Sequence, residues 1–366
     1  MRRSKWIGIG VGLLAAAVVL ARSGGRGIAA RDGGSILSEC DGQIRSIVVQ
    51  YTRGAHFAAA IYRQLLAVMP ADVRVYAVVA DQGALEELRT DLGPLASRVA
   101  PMVAGHEMTA WSRDRWVALA PSDGGGAILL TPQEENAADI WPQRAGDQRI
   151  AADLAAALPA SVQRRRCGLY FDGGDLLADA QTLFVSPAAI RRNVQRTVLD
   201  ADQLRGLLAA LVHRDVVLLP DAPDHHVGMF MMAAGEGRMV VGDPSLAKPL
   251  LSPIDLPGGA DFSAATQRRF DAVAQAAARA GKTVVRIPCV AAGDGKTYVT
   301  YLNGLIDQRA GRRTIYLPQY QGQDRLNAAA RQVWQSLGYR VVPIDVTGAF
   351  RYFGTLHCLV NVLARR

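Results

Sequence analysis

Residues 229–241 read MFMMAAGEGRMVV. Two apolar runs, Met229–Ala233 and Met239–Val241, flank Ala234-Gly235-Glu236-Gly237, which predicts a hairpin. Downstream, Asp261–Ala280 has the pattern of a long helix, and Thr283–Ile287 is a β-branched strand. The resulting unit is hairpin, helix, strand, and parts of it recur in both directions. Ile47–Tyr51, the helix Ala55–Val68, the strand Val73–Val79 and the helix Gly83–Leu92 come first. Phe57, Ile61, Leu65 and Val68 share one face of the first helix. Ala127–Leu130 is followed by Ile150–Leu158; Leu169–Phe171 and Leu183–Val185 surround a turn-rich segment ahead of helix Ala201–Val212 and strand Val216–Leu219. Thr297–Leu305 and Thr314–Leu317 predict a second hairpin around the polar Asp307–Arg313, then helix Asp324–Leu337 and strand Arg340–Ile344. No Pro-rich or Ser-rich linker divides this body, so a single α/β domain of several ββαβ units is expected. The turn after the first strand holds only Thr52-Arg53-Gly54, so a dinucleotide fingerprint is absent.

Composition narrows the class. Of 366 residues, 50% are hydrophobic and 20% charged, which excludes a disordered chain. Four cysteines are too few for a disulfide-built scaffold. The net charge of +8 falls to +4 once Arg2, Arg3, Lys5 and Arg22 are set aside. The remaining arginines are scattered, apart from Arg164–Arg166, and no aromatic residues alternate with them. A nucleic-acid surface is therefore not expected.

Those four basic residues belong to a targeting segment. Arg2-Arg3-Ser4-Lys5 precedes the apolar Trp6–Ala21, and small residues follow at Ser23-Gly24-Gly25 and Gly27–Ala30. This layout predicts a secretory signal or a membrane anchor over residues 1–30, with the working domain over 40–366. The protein is then exported, either periplasmic or extracellular, or held at the inner membrane by its N-terminus. Cys40, Cys167, Cys289 and Cys358 show no C-x-x-C spacing, and no H-E-x-x-H occurs, so no metal site is expected.

Five short clusters carry the residues of chemical interest: Trp111-Ser112-Arg113-Asp114; Phe171-Asp172-Gly173-Gly174-Asp175 with Asp179; Asp224-His225-His226-Val227-Gly228-Met229-Phe230; Tyr301-Leu302-Asn303-Gly304; and Gly354-Thr355-Leu356-His357-Cys358. Each alone has a bland reading. Asp-Gly-Gly is a common turn, and a cysteine in an apolar run is commonly an inert core thiol. Together they supply a thiol, an imidazole and several carboxylates.

In this order the clusters resemble the guanidino-modifying hydrolases, in the branch of the agmatine deiminases and bacterial-type peptidylarginine deiminases (the pentein superfamily). W-S-R-D at 111–114 is similar to that branch's W-x-R-D. F-D-G-G-D-x-L-x-D at 171–179 is similar to its E-G-G-N/D-x-x-x-D, and H-V-G-M-F at 226–230 to its H-x-D-x-F. Y-L-N at 301–303 matches its Tyr-x-Asn, and G-x-L-H-C at 354–358 resembles its terminal G-G-x-x-H-C. The resemblance runs from about residue 45 to the C-terminus and implies a five-unit ββαβ propeller. It implies a deiminase with no cofactor, acting on a cationic guanidino small molecule or an arginine-containing peptide. Cys358 would be the nucleophile, His226 the proton shuttle and Asp172 its support. Asp114, Trp111, Asn303 and Asp175 would bind substrate.

The chemistry agrees with those residue types. Carboxylates grip a guanidinium through paired, charge-assisted hydrogen bonds. Its carbon resists neutral water but accepts a thiolate, giving a covalent thiouronium. His226 would protonate the departing amine and then activate water. His357 is next to Cys358, so on a strand the two would face opposite sides.

The departure from the family pattern is Gly228, where the family carries a second carboxylate. On a strand that residue would share a face with His226. Its loss costs about 2–5 kcal/mol of guanidinium binding by the measure of deleting one partner of a buried pair. Asp224 or Asp175 would have to compensate. The alternative reading is a non-catalytic or substrate-altered envelope binding protein on the same fold.

Overall fold

The computed structural model describes residues 33–366. The predicted signal or anchor segment lies outside the described residues. Among the described residues no helix is long and apolar enough to cross a membrane.

Among the described residues, five of the six sheets repeat one order: an antiparallel pair, then a third strand parallel to the second. Met231–Ala233 pairs antiparallel with Arg238–Asp243, which pairs parallel with Thr283–Pro288 across the helix Ala264–Arg279. Leu176–Ala178, Thr182–Val185 and Asp215–Leu218 do the same around helix Ala201–Val212. So do Val117–Ala120, Ala127–Thr131 and Val162–Arg166 around Ile150–Ala157. Leu305–Arg309, Arg312–Gln319 and Arg340–Asp345 repeat it around Asp324–Ser336. In the fifth sheet the antiparallel pair is made by strands far apart in sequence, Val360–Arg365 and Ile44–Tyr51. Arg74–Val79 and Val99–Val103 then add in parallel. Parallel crossovers need a helix to return the chain, which is why each unit carries one.

Ordered structure includes residues ahead of position 40, since Ser35–Ile36 pairs antiparallel with Val117–Ala120. Two buried apolar clusters fill the interior, the smaller one around Phe171, Leu183, Leu204 and Val216. Helix starts are capped as their sequences dictate. Asp81 accepts from the Ala84 N–H (2.8 Å) and Asp200 from the Gln203 N–H (2.8 Å).

Two strand expectations are corrected. Leu169–Phe171 is not a strand; the hairpin partner is Leu176–Ala178. Phe171 and Leu169 are buried by packing into the smaller cluster, and the Tyr170 backbone is held by the Asn193 side chain instead of a ladder. Thr297–Leu305 is also not one strand. Tyr298–Val299 belongs to the small sixth sheet, with Ala260–Asp261 and Val290–Ala292. The chain then bends at 301–304, and Leu305–Arg309 begins the hairpin. Polar Asp307 and Arg309 lie in that ladder, because Asp307 is satisfied by the Ile44 N–H (2.7 Å) and the Arg309 Nε (2.6 Å). The turn itself is Ala310-Gly311, both with positive φ, as a two-residue hairpin loop requires.

Candidate active site

Each of the five motifs lies in the loop just ahead of the first hairpin strand of its unit. Trp111–Asp114 precedes Val117–Ala120, Asp172–Asp175 precedes Leu176–Ala178, and His226–Met229 precedes Met231–Ala233. Tyr301–Gly304 precedes Leu305–Arg309, and Leu356–Cys358 precedes Val360–Arg365. The loops touch one another in a closed circuit. The Gly173 N–H donates to the Asp114 carbonyl (2.8 Å) and the Arg113 N–H to the Cys358 carbonyl (3.3 Å). Gly174 lies against the His226 imidazole, which would overlap any Cβ at that position. A Cβ on Gly228 would come 3.0 Å from Asn303 Nδ2. Asn303 Oδ1 accepts from Thr355 Oγ1 (2.8 Å), the His357 N–H (3.0 Å) and the Cys358 N–H (3.2 Å).

Cys358 therefore sits in a single helical turn, Leu356–Leu359, and not on a strand. The side-chain oxygen of Asn303 occupies the N-terminal donors that such a turn leaves open. Asn303 thus shapes the thiol's turn. His357 is taken up elsewhere: its Nε2 is 3.2 Å from Glu39 Oε2. Burial, with the Arg113 charge, holds the His357 imidazole below its ordinary value. Glu39 also pairs with Arg113.

His226 Nε2 lies 3.8 Å from Asp172 Oδ2, and no partner is found for Nδ1. Burial alone would depress this imidazole, but Asp172, the Cys358 side chain, and the charges of Asp175 and Asp114 raise it well above the ordinary histidine value. Its backbone N–H donates to His225 Nδ1 (2.7 Å). His225 is pushed by burial, then by the His226 charge, down to about 3 and stays neutral. The His226–Met229 segment is a short 3-10 turn, so residue 228 does not share a strand face with His226. Position 228 thus lies in a turn and not on the strand expected from the sequence.

Asp172 opposes its own burial through His226, Arg144 and Arg115, which together hold it well below the ordinary carboxylate range. Asp175 is buried behind it. It accepts from the Ser186 hydroxyl (2.6 Å) and the Asp172 N–H (2.8 Å), and burial raises its carboxyl. Asp224 does not compensate for Gly228: it is half-exposed and pairs with Arg191 at 2.6 Å. Trp111 packs against Phe57 (centroids 6.0 Å apart) and closely over Gly354, whose Cβ would meet its ring at 2.7 Å.

Several charged residues of the site carried no local signal in the sequence. Arg144, on the short helix Pro142–Asp147, donates to Asp114 Oδ2 and to Asp172 Oδ1 (3.1 Å). Arg115 meets Glu135 (2.6 Å) and Asp172 (3.6 Å), and Arg192 lies 3.4 Å from both Glu135 and Asp172. A cavity of about 10 Å³ adjoins Cys358, His226, Gly174, Gly228 and Asn303, the size of one water. All four cysteines are free thiols. Among the described residues, no three His, Cys, Asp or Glu side chains are placed to hold a metal ion.

No protein-family model and no curated protein matches the sequence. Solved structures do. The chain is similar to an agmatine deiminase of C. jejuni, at 13% identity over 92% of this chain and 98% of that one, with a TM-score of 0.67. It is similar to the agmatine deiminase of Enterococcus faecalis at 16% identity, over 93% and 99% of the two chains, with a TM-score of 0.68. At these identities the likeness establishes the fold: the chain has the α/β fold of the agmatine deiminases.

Proposed function

We propose that this protein is an exported, cysteine-dependent hydrolase of guanidino groups. The observation that carries the reading is the circuit of five loops that brings Cys358, His226, Asp172 and Asp114 together from four distant segments. In this reading the five repeated units are the blades of one propeller, supported by the pairing of the last strand with Ile44–Tyr51.

The attacking species is the thiolate. Cys358 Sγ bonds to the guanidinium carbon, and the tetrahedral adduct collapses with cleavage of one C–N bond. The raised His226 is suited to hold the proton that the leaving ammonia needs. The neutral imidazole then takes a proton from water. That water adds to the thiouronium carbon, the C–S bond breaks, and a ureido product leaves. Asp114 and Asp172 fix the guanidinium and stabilise its charge. Asp175 acts through Asp172, and Asn303 through the turn that carries Cys358.

A second reading, a binding protein without turnover, is favoured by Gly228 and by the seating of Arg144 on Asp114. One experiment separates the two. The full-length protein and its Cys358→Ala variant are incubated with arginine peptides, arginine and agmatine, and ureido product and ammonia are measured. Turnover that disappears in the variant is expected. A folded protein with no turnover on any of them overturns the hydrolase reading.

A further inference from the structure

The carboxylates that the hydrolase reading assigns to a substrate guanidinium already hold one. Arg144 spans Asp114 and Asp172 through its two terminal nitrogens. Arg115 and Arg192 crowd Asp172 from other sides and share Glu135. Three guanidinium groups and His226 thus face Asp114, Asp172, Asp175 and Glu135, and Gly228 adds no acid. The site carries its own counter-ions before any substrate enters.

A guanidinium held by both carboxylates competes with Arg144 for the same seat. The cost of that exchange depends on what else the substrate carries. A dication would leave Arg144 without a carboxylate and add a second positive charge beside it. Removing one partner from a buried pair is the expensive case. A molecule that bears a carboxylate on the same short chain supplies the missing partner, and the number of ion pairs is conserved. Arg144 is placed for this. Its side chain is 23% exposed, whereas Asp114 is nearly buried at 8%. The preceding residues 133–141 are largely exposed. Its helix stays anchored by Asp147, which accepts from the Thr109 N–H (2.9 Å), Thr109 Oγ1 (2.8 Å) and Gln50 Nε2 (3.1 Å). Arg144 takes the Oδ2 atom of Asp114.

We propose that Arg144 selects the substrate: it leaves Asp114 and Asp172 to receive the carboxylate of a small guanidino acid, whose guanidinium takes the vacated seat. The inference rests on the guanidino reading of the site. It assigns the substrate to zwitterionic guanidino acids in preference to guanidino amines.

Binding of arginine, 4-guanidinobutanoate and agmatine to the full-length Cys358→Ser protein is measured by calorimetry, beside the same protein carrying Arg144→Gln or Arg144→Lys. The acids are expected to bind about tenfold tighter than agmatine or better. Arg144→Gln brings the ratio towards one, and Arg144→Lys, which keeps the charge but not the fork, retains part of it. Agmatine binding as tightly as the acids, a ratio unmoved in both variants, or no binding of any of the three overturns the proposal. Turnover by the wild-type chain is read in parallel. Selective acid binding without turnover sinks the hydrolase reading alone, and turnover with no preference for acids sinks the Arg144 proposal alone.

Discussion

Glu39 ties the two working loops together from outside them. Its carboxylate pairs with Arg113, beside the proposed clamp residue Asp114, and with His357, beside Cys358. Burial alone would raise it, but Arg113, His357 and Arg365 hold it far below the ordinary carboxylate range. Glu39→Gln is expected to cost about 3 kcal/mol at neutral pH, because Arg113 is left buried without its partner. The sign of the pH dependence follows. A depressed folded-state value gives stability that is present above the ordinary Glu range and lost as pH falls through the lowered value. Urea unfolding of the two proteins should therefore differ most near pH 7, and the difference should begin to shrink below about pH 4 and keep shrinking as pH falls towards the lowered value. A difference that stays constant with pH would remove the ionic role. The other cysteines make a second test. Burial pushes Cys40 and Cys289 up to about 12 and Cys167 to about 11. Brief alkylation at neutral pH followed by peptide mapping should modify Cys358 before these three, and equal labelling of all four would count against a working thiol. At this scale the sequence disclosed the thiol, the histidine and the acids, since they stand in ordered motifs. It did not disclose Arg144 or Arg192, whose local contexts carry no motif, nor the role of Arg115, which directly follows the Trp111–Asp114 motif.

The Gly173-Gly174 pair shows how an element places a side chain. From sequence it reads as a turn that needs glycine's backbone freedom. Neither residue has positive φ. Both are required by close approach: a Cβ on Gly173 would overlap the Arg113 carbonyl, and one on Gly174 the His226 ring. Gly174→Ala is expected to keep the fold, as judged by circular dichroism, and to lower kcat/KM by about 10²-fold through displacement of the imidazole. Asp200→Ala is the contrasting change. It removes a helix cap remote from the five loops and should cost about 1 kcal/mol with turnover unchanged. If both variants lose activity alike, the site is responding to general stability and not to His226. Helices such as His56–Val68 and Asp324–Ser336 were legible because their buried residues recur at helical spacing. Short strands were less so: Leu176–Ala178 has three residues, and its neighbour Leu169–Phe171 is equally apolar but packs without pairing.

For the whole molecule the decisive contact joins two strands far apart in sequence. Val360–Arg365 follows the Cys358 turn directly and completes the sheet begun by Ile44–Tyr51. No local pattern announces such a pairing, because its specificity lies in a strand more than 300 residues away in sequence. The residues that follow Cys358 therefore read only as an apolar run. Its contacts reach two other units and the segment ahead of Ile44. Asn361 Nδ2 donates to the Ser112 carbonyl (3.1 Å) and the Trp116 carbonyl (3.0 Å). Arg365 donates to the carbonyls of Ile306 (2.8 Å) and Glu39 (3.0 Å). Val360, Val362 and Leu363 are buried, and each is worth about 1.5–3 kcal/mol against exposure. Their sum approaches the whole stability of an ordinary domain, about 5–15 kcal/mol. A chain ending at Leu359 keeps every motif residue yet should lose cooperative melting and become sensitive to limited proteolysis. The milder Asn361→Ala, which gives up two buried hydrogen bonds, should melt cooperatively with about 2 kcal/mol less stability and reduced turnover. The turnover loss follows because the strand anchors the Cys358 turn to the Asp114 loop. A truncated chain that melts at the wild-type temperature would show the last strand to be dispensable, and the loop circuit would then need another support.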